Sequence, residues 1–173
     1  MKKYPKALII LHWLTFILVV ALFFIGLTME EYEFNEANFN RYRTHALLGM
    51  LVMVLTIIRL IIKKKNKNNL PPEIEYYSNG HKLLVKTVEK LMYLILILAP
   101  ITGFIMVYQT GALQYDLGGP FPEGAKFSET WEEIHKTLVF ILGGLIGIHI
   151  AGVIVYKIKT GENLIKRMCL LLK

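Results

Sequence analysis

The stretch IHKTLVFILGGLIGIHIAGVIVY, residues 134–156, carries a single charge, Lys136, and two histidines 14 residues apart. A bilayer core about 30 Å thick needs roughly 20 helical residues to cross it. Lipid-facing backbone must satisfy its own hydrogen bonds, and a run this long exceeds what a barrel strand needs, so it is read as a spanning helix. At about 100° and 1.5 Å per residue, 14 residues make nearly four turns and about 21 Å of rise. His135 and His149 therefore point to one face at two different depths.

Three further runs are equally long and apolar: 7–28, 45–62 and 91–108. The chain of 173 residues is 54% hydrophobic with a positive mean hydropathy, too apolar for an ordinary soluble domain. Four crossings leave only short loops. The expected fold is all-α, an integral membrane four-helix bundle forming one domain over 1–173, with helices about 7–28, 45–62, 83–108 and 134–156. Helix 3 starts before its apolar core, near His81. Pro71-Pro72 interrupts the inner loop 63–82, and six glycines and prolines make 109–131 an irregular outer loop. There is no internal repeat. Lys2, Lys3 and Lys6 precede the first run as in a signal peptide, but the run is too long and ends in Thr28-Met29-Glu30-Glu31 without a small-x-small site. It is read as a retained helix. Cys169 stands alone, so it forms no internal disulfide and no metal site by itself.

The charge separates by side. With the N-terminus inside, Lys2, Lys3, Lys6, Arg59, Lys63, Lys64, Lys65, Lys67, Lys82, Lys86, Lys90, Lys157, Lys159, Lys166, Arg167 and Lys173 are inner, which is 16 of the 20 basic residues. Only Arg41, Arg43, Lys126 and Lys136 are outer. This is the positive-inside pattern, and it places both termini in the cytoplasm. The net +7 and the run Lys63-Lys64-Lys65-Asn66-Lys67 are thus a topology signal, with no nucleic-acid partner expected. Glu30, Glu31, Glu33, Glu36, Asp116, Glu123, Glu129, Glu132 and Glu133 are all outer, which makes that face net −5.

Four of the five histidines lie in or at the ends of the apolar runs: His12, His45, His135 and His149. Ionisable groups there are costly and are read first as functional. His12 and His149 share the inner depth, His45 and His135 the outer depth. Two bis-histidine sites stacked across a bundle fit two haems, each iron held by axial imidazoles from facing helices. Arg59, 14 residues after His45, lies on the same helix face at the inner level. There it either neutralises a haem propionate or anchors the helix at the interface. Gly26, 14 residues after His12, faces the bundle at the outer level, and Gly49 is one turn from His45. Gly143, Gly144 and Gly147 lie between the helix 4 histidines. Clearance for a flat macrocycle and close helix packing explain them equally. His81 is read as solvated. Trp13 and Trp131 are read as interface aromatics, Trp131 one turn from His135. A histidine-lined path for zinc or protons is the competing use of the same residues.

The set His12-Trp13, His45-x-x-x-Gly49, Arg59-Leu60, Pro100-Ile101-Thr102-Gly103 and Trp131-x-x-x-His135 with His149 resembles the bacterial cytochrome b561 family over nearly the whole chain. The resemblance implies two b haems, a quinone partner and a bacterial inner-membrane location. For some members it implies superoxide oxidation at the outer face. Related b-type subunits anchor hydrogenases or formate dehydrogenases. One position departs: Glu89 stands near where the family commonly has a histidine, which touches a quinone or proton role and not haem ligation.

The resulting expectation is a multi-pass, lipid-embedded oxidoreductase. His12 and His149 ligate the inner haem iron, His45 and His135 the outer one, and Arg59 contacts a haem. Electrons pass between an outer donor, superoxide or a protein, and membrane quinone. A haem-bearing anchor subunit of a larger respiratory enzyme is the alternative. The acidic outer face repels small anions, and so favours a basic protein or neutral quinol over superoxide.

Overall fold

The computed structural model describes residues 2–29, 32–75 and 78–170. Four helices in it are long and apolar enough to cross a membrane: α1 (Lys6–Met29), α2 (Phe39–Lys65), α3 (Asn79–Gln109) and, after the short α4 (Ala112–Asp116), α5 (Glu129–Thr160). No β-strand occurs among the described residues. Glu30, Glu31 and Lys173 of the charge pattern lie outside the described residues.

Each helix runs past its apolar window because capping chemistry, and not hydropathy, decides where it ends. Pro5 opens α1, its carbonyl accepting from the amides of Leu8 and Ile9. Before α2, the Asn35 side chain accepts from the Asn38 amide at 3.0 Å and starts a 3-10 turn over Glu36–Asn38 that leads directly into the helix. The polar segment Phe39–Thr44 is therefore helical, and His45 sits nearly two turns inside α2 instead of opening it. Ser78 caps α3 by accepting from the His81 amide at 3.1 Å. This puts His81 in the first turn, half-buried. α5 has Glu129 and Glu132 in its first turn and Lys157 and Lys159 in its last, each complementing the helix dipole. Gly161, at φ +74°, takes the left-handed conformation that ends it.

The closest backbone packing runs α1–α2, α2–α3 and α3–α5. Facing side chains bridge α5 to α1, as Phe23 does edge-on to Phe140 at 5.9 Å. The core at mid-height is Val52, Val88, Ile95, Leu96, Ala99, Leu142 and Leu145, with Leu18, Leu22, Leu138 and Ile146 packed against it. Large apolar residues such as Ile17, Phe24, Leu83 and Phe140 point outward and are exposed, as lipid contact requires. With lipid as apolar as the core, helix association depends on close packing and polar contacts.

Both ends are closed by side chains. At the acidic end Phe34, Phe39, Tyr42, Tyr115, Phe121 and Phe127 form a connected aromatic cluster. Arg43 pairs with Asp116 at 2.6 Å, and the Tyr115 hydroxyl donates to Glu36 at 2.8 Å. The loop read as irregular thus contains the helix α4 and is tied to α2.

At the basic end the chain after α5 folds back on α1. The Tyr4 amide donates to the Arg167 carbonyl at 3.0 Å and the Trp13 indole to the Met168 carbonyl at 2.7 Å. Arg167 reaches Glu162 and the Pro72 carbonyl, both at 2.7 Å. Residues 4 and 167 thereby lie at one end of the bundle.

Candidate functional site

The four histidines assemble as two facing pairs. His45 of α2 and His135 of α5 have ring centroids 6.2 Å apart with planes inclined at 72°. His12 of α1 and His149 of α5 are 6.5 Å apart at 68°. The pairs are those that depth in the sequence assigns. The apolar core, with Leu142 and Leu145 from the α5 segment between its two histidines, separates them.

These separations can be tested against a metal. A metal–imidazole bond is about 2.0–2.1 Å and the ring centre lies ~1.1 Å behind the nitrogen, so two imidazoles on opposite sides of one ion have centroids roughly 6 to 6.5 Å apart. Both pairs meet that requirement. Among the described residues no group of three or more His, Cys, Asp or Glu side chains could hold a bare ion. Two imidazoles per site fit a metal that brings its remaining ligands with it, as haem iron does.

Surrounding residues bear on each pair. His135 Nδ1 lies 2.9 Å from the Ala99 carbonyl and 3.0 Å from the Thr102 hydroxyl, both on α3. His45 Nδ1 is buried with no hydrogen-bond partner among the described residues. An orphaned buried polar atom costs about 1–3 kcal/mol, an arrangement expected where the ring serves another purpose. Two glycines face these rings. A Cβ on Gly26 would stand 3.5 Å from His45 Cε1, and one on Gly103 would stand 3.3 Å from His135 Cε1.

The glycine reading divides accordingly. Gly26 does face the acidic-end pair, as its spacing from His12 requires. Gly103, read only as part of a motif, is the closer neighbour. Gly143 would meet only Phe23, at 3.9 Å, while Gly49, Gly144 and Gly147 would meet nothing within 4 Å. Gly144, nine residues from His135, is turned to the opposite side of α5 by the helical period.

Arg59 lies within electrostatic reach of both His12 and His149, at the basic-end level where its spacing from His45 puts it. Its guanidinium also sits 5.5 Å from the Tyr93 ring centre, and Lys63 lies the same distance from that ring. Lys63 in turn pairs with Glu89. Glu89 thus joins an ion pair at the basic end.

Sequence reasoning missed three partners. Ala99 and Thr102 were invisible because a backbone carbonyl has no sequence signature and a mid-helix threonine has many roles. Trp13, read as an interface aromatic, stands edge-on to His12 at 5.4 Å with its N–H held by Met168. The fold-back of residues 164–168 that supplies that carbonyl follows from Asn163, whose side chain caps the Ile165 amide at 3.1 Å.

A membrane-embedded helical bundle with facing imidazole pairs at two depths belongs to the class of transmembrane cytochromes. The family model for prokaryotic cytochrome b561 matches residues 3–169, and the chain belongs to that family. Membership brings b-type haem binding and membrane electron transfer.

Proposed function

We propose that the chain is a di-haem b-type cytochrome, one membrane domain over residues 1–173, that moves electrons between an outer-face donor and membrane quinone. His12 and His149 hold one haem iron and His45 and His135 the other. The observation that carries this reading is the matched centroid separation of the two pairs, 6.5 and 6.2 Å. Haem, when bound, supplies the one-electron chemistry. The protein's residues hold and orient it: four imidazoles as axial donors, Gly26 and Gly103 giving clearance, Arg59 countering a propionate charge. The aromatic cluster at the acidic end limits water access to the His45–His135 level.

The positive-inside rule sets the basic end, and with it both termini, in the cytoplasm of a bacterial inner membrane. The acidic end then faces outward. There Arg43 is paired with Asp116, Lys136 with Glu132 at 2.9 Å, and Arg41 lies over the Tyr32 ring at 4.0 Å. Three of the four outer cations are thus engaged, two of them with carboxylates. A positive funnel for a small anion is not what such pairing builds, so a neutral quinol or a basic protein is the favoured donor and superoxide the less favoured one.

The test is optical. The purified chain, reconstituted in vesicles, should have the absorption bands of a low-spin b cytochrome, and they should bleach on addition of a water-soluble quinone analogue. A histidine path for zinc or protons gives no such bands. A soluble subunit that stays bound through purification would favour the anchor-subunit reading.

A further inference from the structure

The two rings of the acidic-end pair differ in what holds their second nitrogen. A carbonyl oxygen has no proton to give, so at 2.9 Å from the Ala99 carbonyl it is His135 Nδ1 that carries the hydrogen and donates it. The Thr102 hydroxyl donates its own hydrogen to that same carbonyl, at 2.7 Å. Its oxygen therefore presents a lone pair to His135 Nδ1–H, 3.0 Å away. Two acceptors converge on one N–H, which sets the tautomer and leaves Nε2 as the lone-pair nitrogen. Thr102 and Ala99 are both buried, so water does not compete for the N–H. On the partner ring, His45 Nδ1 has no such acceptor among the described residues.

We infer that Thr102 is a positioning residue for the acidic-end haem: its hydroxyl, with the Ala99 carbonyl, locks His135 as the Nδ1–H tautomer and makes it the more basic of the two axial ligands. The inference rests on the haem reading of His135. Hydrogen bonding at Nδ1–H raises the electron density a histidine offers its metal. More donation stabilises Fe(III) over Fe(II), so it lowers that haem's potential. The asymmetry is built by three residues of one helical turn of α3: Ala99 gives the carbonyl, Thr102 the hydroxyl, and Gly103 the room beside the ring.

The experiment is a potentiometric titration of the purified haem-loaded protein carrying Thr102→Val, which keeps shape and removes the hydroxyl, with Thr102→Ser as the conservative control. Haem per chain is measured on each. Thr102→Val should raise the potential of the acidic-end component alone, with about a threefold rise in the Fe(II)/Fe(III) ratio at fixed potential, or roughly 28 mV at 59 mV per decade. Thr102→Ser should restore the original value. Two haems with an unshifted acidic-end potential overturn the inference while leaving the haem reading intact. Wild-type protein that binds no haem overturns the reading itself. If Thr102→Val loses the acidic-end haem, recovery of that haem in Thr102→Ser supports the role, and failure to recover it refutes the role.

Discussion

His45 and His135, 90 residues apart in the chain, face each other across the α2–α5 gap with ring centroids 6.2 Å apart. Ridge-into-groove helix contact would fill that gap with aliphatic side chains. Here two polar rings occupy it, with glycines on α1 and α3 beside them. Polar residues at membrane depth cost stability, about 2.5–3.5 kcal/mol or more for a charged one, so a facing pair is kept for what it binds.

The two levels should separate genetically. His149→Ala should remove the basic-end redox component, and His45→Ala the acidic-end one, each leaving one haem per chain. Redox titration of the two variants checks this. If both substitutions abolished the same component, the pairing of His12 with His149 and of His45 with His135 would be wrong.

The glycine neighbours should respond in order of their clearance. An added Cβ at Gly103 would stand 3.3 Å from His135 and force a small shift, while at Gly26 it would make ordinary contact at 3.5 Å. Gly103→Ala should therefore perturb the acidic-end component, and Gly26→Ala should leave it nearly unchanged. Leucine at either position, filling the space beside the ring, should cost most of that haem. Absorption spectra at equal protein concentration give the comparison, and equal effects of the two alanines would contradict it.

Much of this was legible in the sequence, for a physical reason. Spanning length, positive-inside charge and the 3.6-residue period are collective signals, so they locate four helices, their sides and the depth of each histidine without contacts. The same arithmetic put Arg59 by the basic-end pair and Gly26 by the acidic-end one. Helix ends were less readable: Asn35 and Ser78 set the starts of the α2 and α3 segments through single hydrogen bonds, which a hydropathy window averages away. Contacts between distant segments were not readable at all. The Ala99 carbonyl beside His135 and the Met168 carbonyl on Trp13 depend on backbone atoms that every residue carries.

Electron donors of different charge should be told apart by salt. The acidic face and its paired cations predict that reduction by superoxide is slow and accelerates as salt screens the repulsion, within the roughly tenfold or greater range of such steering effects. Stopped-flow reduction of the purified protein across ionic strength measures this. Fast reduction that slows with added salt would point to an attractive surface and against this account of the outer face.

The fold-back at the basic end should depend on pH through Glu162. Its carboxyl is held below the ordinary value chiefly by the hydrogen bond from Arg167. A depressed folded pKa stabilises above the unfolded value and is lost as pH falls through the folded one. Amides of Ile165–Met168 should thus keep their exchange protection at neutral pH and lose it below about pH 4, in the carboxylate range. Glu162→Ala should lose part of that protection at pH 7. Hydrogen–deuterium exchange read by mass spectrometry checks both, and protection in Glu162→Ala equal to wild type would contradict the role given to the Arg167 pair.

The most direct measurement is the haem content of the purified, fully loaded chain by pyridine haemochrome. Two facing imidazole pairs fill both axial positions of two irons, so the expected result is two b haems per chain. It should fall to one in His45→Ala or His149→Ala and to none in the double variant. One haem or none per wild-type chain would contradict the assignment of all four histidines as ligands.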